Sequence, residues 1–114
     1  MNEKDDLVYL GHIIDAINRI KEYTTGMKKE NFLKDRKTQD AVIREITIIG
    51  EATTLISDLF KERHSSIPWT EMKGTRNRIV HGYFSIDLNI VWQVIIKDLP
   101  GLEIKLKALA NEGN

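Results

Sequence analysis

The chain has 114 residues, 17 of them basic and 17 acidic, and no cysteine. That is material for one domain with a modest core, and the even charge supplies no general positive field, so any nucleic-acid affinity must come from a local patch or from assembly of copies. Without thiols there is no disulfide, no thiolate nucleophile and no cysteine-based zinc site; the charged start Met1-Asn2-Glu3-Lys4-Asp5-Asp6 is unlike a signal peptide and no apolar run is long enough to cross a bilayer, so a cytoplasmic location away from membranes is expected.

Leu7, Leu10, Ile13, Ile14, Ile17 and Ile20 recur at spacings of three and four, which predicts a helix from about Asp6 to Tyr23 with Asp5 or Asp6 as its cap. Thr24 to Lys37 is polar, contains Gly26 and holds one bulky anchor, Phe32; it reads as a connection with at most a short helical turn. Thr38 to about Arg63 is the longest periodic segment, and its apolar residues form two stripes. Val42, Ile46, Ile49, Ile56 and Phe60 make one; Ala41, Ile48, Ala52, Leu55 and Leu59 make a second, about 110° round the helix. A helix apolar on two sides has two neighbours, so it lies at the centre of a bundle, or one stripe is a subunit interface, or both. Gly50 inside it suggests close approach of another helix.

Ser65-Ser66-Ile67-Pro68-Trp69 breaks the pattern and starts a new helix, expected from about Pro68 to His81 and closed by Gly82. Asp87 looks like the cap of a helix bearing Leu88, Val91, Trp92, Ile95 and Leu99, which Pro100-Gly101 should interrupt before a last helix with Leu102, Leu106 and Leu109. No segment alternates as a strand does. The expected fold is an all-α, up-and-down bundle of four to five helices.

Arg76-Asn77-Arg78-Ile79-Val80-His81-Gly82-Tyr83 gathers the residue types best suited to chemistry. On a regular helix Asn77 and His81 form an i, i+4 pair, and Arg76, Asn77, His81 and Tyr83 spread over an arc of about 160°, wide for one pocket but suited to a groove where two copies meet. Metal-free RNA cleavage needs a base for the 2′-hydroxyl, an acid for the leaving 5′-oxygen, and positive charge on the phosphorane. His81 can serve as base or acid and Arg76 can supply the charge; Asn77 can fix the imidazole tautomer or hold a phosphate oxygen. Tyr83 can donate a hydrogen bond or act as a nucleophile for modification. Plainer roles exist: His81 complementing a helix dipole, Arg76 and Arg78 as solvated residues pairing with acids such as Glu71, and Tyr83-Phe84 anchoring a loop. His12 and His64 belong to no metal-ligand pattern and are expected to be structural or exposed; no cofactor site is visible.

The motif, with Asn77 directly after Arg76, resembles the signature of the HepT-like toxins of the HEPN superfamily. Tyr9-Leu10-Gly11-His12-Ile13, Thr38-Gln39-Asp40-Ala41-Val42, Ile49-Gly50-Glu51-Ala52, Ile67-Pro68-Trp69 and Asp98-Leu99-Pro100 are similar to that family in the same order. The resemblance implies one HepT-like helical domain over residues 1–114, forming a homodimer whose two motifs meet in a cleft. It implies a metal-independent endoribonuclease acting on RNA as the toxin of a type VII-like toxin–antitoxin pair, with Arg76 and His81 catalytic and Asn77 supporting them. It further implies an MntA-like nucleotidyltransferase antitoxin that transfers AMP from ATP to Tyr83, placing bulk and negative charge against Arg76. Glu51 falls near the cleft or the subunit contact, or is structural. From another class comes the alternative of a non-catalytic binding or regulatory subunit of a small nucleotidyltransferase, which suits a neutral chain.

Overall fold

A computed structural model describes residues 3–80 and 85–112. Four rods form an all-α bundle: α1 (Glu3–Thr24), α3 (Arg36–Leu55), α5 (Trp69–Ile79), and a last rod in which α6 (Leu88–Gln93) runs through a π-helical turn (Val94–Asp98) into α7 (Leu99–Glu112). Two short helices, α2 (Lys29–Leu33) and α4 (Asp58–Arg63), fill the connections. The rod α1 packs on α3, α3 on α5, and α7 returns against α1.

The core follows the apolar spacing. Leu10, Ile13, Ile17 and Ile20 of α1 are fully buried, as are Phe32 and Val42, and burying each such side chain contributes about 1.5–3 kcal/mol. Buried polar groups tie the rods together. Asp6 does not cap α1, as expected from sequence, but sits inside it and accepts hydrogen bonds from the amide (2.7 Å) and hydroxyl (2.8 Å) of Ser57. Glu45, buried in α3, accepts from Arg19 Nε at 2.9 Å, and Gln39 donates to the Phe32 carbonyl at 2.9 Å. Glu103 of α7 accepts from Lys21 of α1 and from Lys107.

The long central helix expected over residues 38–63 is two helices. Ser57 ends it by capping α4, its hydroxyl accepting from the Phe60 amide at 3.2 Å while Asp6 holds its own amide. Its first stripe behaves as expected, with Val42, Ile46, Ile49, Ile56 and Phe60 all buried. The second is only partly covered: Ala52 is buried and Ile48 half-buried, but Leu55 is 48% and Leu59 58% exposed. Gly50 does meet another helix closely. A Cβ there would lie 3.4 Å from the Lys73 carbonyl oxygen of α5, already in contact with its backbone.

Two helix ends also depart from expectation. Pro100 and Gly101 lie within α7 instead of interrupting the last rod. Proline lacks an amide and its ring crowds the carbonyl four residues back, and the wider π turn just upstream, where the Leu99 amide reaches the Val94 carbonyl, relieves both problems. Helix α5 ends at Ile79, not His81. Val80 is extended (φ −79°, ψ 125°) and forms an isolated antiparallel bridge with Ile86. The Ile79 carbonyl, which a continuing helix would offer to the amide four residues on, accepts from the Asp87 amide at 2.8 Å. The expected terminator Gly82 lies outside the described residues.

Candidate active site

Arg76 and Asn77 occupy the last turn of α5, which is anchored by Trp69, Met72 and Ile79 in the core and carries basic residues at its carboxyl end, where the helix dipole favours them. Both side chains are exposed. Neither forms an ion pair or side-chain hydrogen bond with another described residue, so the Arg76 guanidinium is open to an incoming phosphate on that account. Arg78 is placed differently: its Nη2 donates to Asp98 Oδ2 at 2.7 Å, at the end of the π turn. Arg78 thus pairs with an acid, as the plainer reading expects, and that acid is Asp98 instead of Glu71.

The chain leaves α5 and enters α6 at one point, the Val80–Ile86 bridge with its Asp87–Ile79 hydrogen bond. Asp87 then caps α6, accepting from the amides of Asn89 (3.0 Å) and Ile90 (3.2 Å), as its position in the sequence suggests. His81 and Tyr83 fall between the bridged residues in sequence and lie outside the described residues. The helical angles used for the motif hold for Arg76 and Asn77, which are on α5, and the expected pairing of Asn77 with His81 and placing of Tyr83 fall outside the described residues.

Beside the Glu71–Thr75–Arg78 side of α5 is a cavity of about 350 Å³, lined by Ile46, Ile49, Met72, Val94 and Leu99, with the Arg78–Asp98 pair also in its wall. A separate groove between α1 and α3 is lined by Tyr9, His12, Asp15, Arg19, Ile48, Glu51 and Leu55. Glu51 is exposed there, on the side of α3 that carries the uncovered stripe. His12 is exposed and edge-on to Tyr9, while His64 lies 4.5 Å from the Phe60 ring and its carbonyl accepts from the Trp69 indole. Both are structural or exposed, as expected. Among the described residues no three His, Asp or Glu side chains are grouped to hold a metal ion. No described helix is long and apolar enough to cross a membrane.

Shifted ionisations belong to the scaffold. Burial pushes the Glu103 carboxyl up, but hydrogen bonds from Lys21 and Lys107 hold it below its ordinary value. The hydrogen bond to Glu45 raises Arg19 above its ordinary value, against partial desolvation. At the α3 cap, the Thr38 hydroxyl and amide hydrogen bonds lower Asp35.

A family model described as "HepT-like: Ribonuclease HepT-like" matches residues 13–109, from α1 through the motif to α7. The chain belongs to the HepT-like ribonuclease family. One HepT-like relative, named a probable ribonuclease HepT, comes from Thermococcus cleftensis and is 44% identical over 101 residues, covering 89% of this chain and 92% of the relative. A candidate RNase of Caldanaerobacter subterraneus subsp. tengcongensis is 37% identical over 101 residues, 89% of this chain and 90% of that one. A Methanocaldococcus jannaschii protein named for a gamma-glutamylcyclotransferase and a candidate RNase is 38% identical over 109 residues, 96% of this chain but 49% of the longer relative. No solved structure matches.

Proposed function

We propose that this HepT-like protein cleaves RNA without a metal ion, at a cleft shared by two copies, as the toxin of a toxin–antitoxin pair. The observation that carries the reading is the pair Arg76 and Asn77: adjacent, exposed, without described partners, and on the turn that leads directly into His81 and Tyr83, in a chain of a ribonuclease family. In the proposed reaction the 2′-oxygen attacks the adjacent phosphorus as its proton passes to one imidazole, and the bond to the 5′-oxygen breaks as the second imidazole protonates it. Arg76 stabilises the charge of the crowded phosphorane, and Asn77 holds a phosphate oxygen or orients His81. The products are a 2′,3′-cyclic phosphate and a 5′-hydroxyl.

One histidine in each motif supports a two-copy site, since acid and base must act together. The uncovered second stripe supports it too: Leu55 stands exposed in a groove holding both acids (Asp15, Glu51) and bases (His12, Arg19), and a surface with both signs can pair with its own two-fold copy. Residues 1–114 act as one helical domain in this reading. Tyr83, two residues beyond His81, is the site at which an MntA-like nucleotidyltransferase antitoxin attaches AMP from ATP; its phosphate would occupy the substrate position against Arg76.

The test incubates the unmodified protein with RNA in EDTA beside Arg76→Ala and His81→Ala. Cleavage by the parent, unaffected by chelation and lost in both variants, is expected. A parent that cleaves nothing leaves the regulatory-subunit reading. Intact mass after exposure to the antitoxin and ATP should rise by one or more AMP groups, and a rise unchanged in Tyr83→Phe refutes that site.

A further inference from the structure

Arg76 and Asn77 have no described side-chain partner, so their aim is set by the backbone of the last turn of α5. That turn is unevenly held. On one side Ile79 is fully buried and Val80 is bridged to Ile86. On the other, beside Glu71, Thr75 and Arg78, lies the 350 Å³ cavity, so this side of the turn is less closely packed. In its wall, Arg78 Nη2 meets Asp98 Oδ2 at 2.7 Å. Asp98 is the last residue of the π turn, whose extra residue rotates it relative to where a regular α-helix would present it.

We infer that Asp98 is a positioning residue: through Arg78 it fixes the last turn of α5 and with it the aim of Arg76 and Asn77 at the scissile phosphate. This rests on the ribonuclease reading above. Both members of the pair are about half exposed, and such pairs add little to stability, whereas a small displacement of a catalytic group is costly to rate. The consequence of losing Asp98 therefore falls on turnover.

The test compares steady-state cleavage of an RNA oligonucleotide by the parent, Asp98→Asn, Asp98→Glu, and the exchange Arg78→Asp with Asp98→Arg. Asp98→Asn should lower kcat about tenfold with KM for RNA and Tm nearly unchanged. Asp98→Glu and the exchange should recover most of it. An unchanged kcat in Asp98→Asn, or an exchange as slow as Asp98→Asn, overturns the inference; a loss confined to KM also overturns it and makes Arg78 an RNA contact. Should the parent cleave no RNA, the ribonuclease reading fails by itself. The positioning is then judged from the Asn77 side-chain amide resonances in NMR spectra. They must move in Asp98→Asn and return in the exchange, and resonances that stay put refute it.

Discussion

Arg19 and Arg76 show how differently two regions of this molecule use the same side chain. Arg19, at the seam of α1 and α3, is committed to the buried Glu45; Arg76, at the end of α5, has no described partner. The faces of α1 have satisfied their polar groups internally, Arg19 with Glu45 of α3, Asp6 with Ser57 at the α4 cap, and Lys21 with Glu103 of α7. The end of α5 keeps a cation and an amide unspent. A group saturated inside the fold serves stability, and one left open can serve a ligand.

Substitutions can break or sharpen that contrast. The largest expected effect is Arg76→Ala, which should cut RNA cleavage by about 10²–10³-fold while leaving the thermal midpoint near the parent's, as judged by kinetics and calorimetry on one preparation. A midpoint that falls sharply would mean Arg76 belongs with the scaffold. Ile17→Ala, at the fully buried seam, should do the reverse: about 2–5 kcal/mol lost in urea unfolding, with the residual folded enzyme turning over normally. Asp6→Ala removes the acceptor for the Ser57 amide and hydroxyl and should lose about 1–3 kcal/mol, together with hydrogen-exchange protection at Ser57.

The smallest effect is acid sensitivity. The folded Glu103 carboxyl titrates below its ordinary value of 4.5, so its contribution to stability is present above that value and is lost as the pH falls through the lower folded value. Glu103→Gln should flatten the acid limb of a stability–pH curve, and an unchanged limb would remove the Lys21–Glu103–Lys107 cluster from the account.

Much of the scaffold was legible because burial imposes a period. The α1 spacing locates its helix and core face, and the first stripe of α3 is buried as the sequence requires. The break at Ser57 is hidden, although Ser57-Asp58 is a fair cap signal, because the apolar period continues in phase through Ile56 and Phe60. Pro100 misled for the opposite reason: it ordinarily stops a helix, and the π turn that accommodates it leaves no mark in the pattern. At the site, the residue types of one short motif single out Arg76, Asn77, His81 and Tyr83; the first two stand exposed on the last turn of α5, and the other two lie outside the described residues. The Arg78–Asp98 pair, 20 residues apart, and the Val80–Ile86 bridge arise from tertiary packing and have no local signature.

The bridge has a consequence for how such a protein can change. With Val80 paired to Ile86 and the Ile79 carbonyl taken by the Asp87 amide, the exit of α5 and the entry of α6 brace each other. The two helix ends are therefore coupled through a few backbone atoms, so a change of packing that tilts one of them is transmitted to the other, and drift in α6 is registered at the turn that carries Arg76.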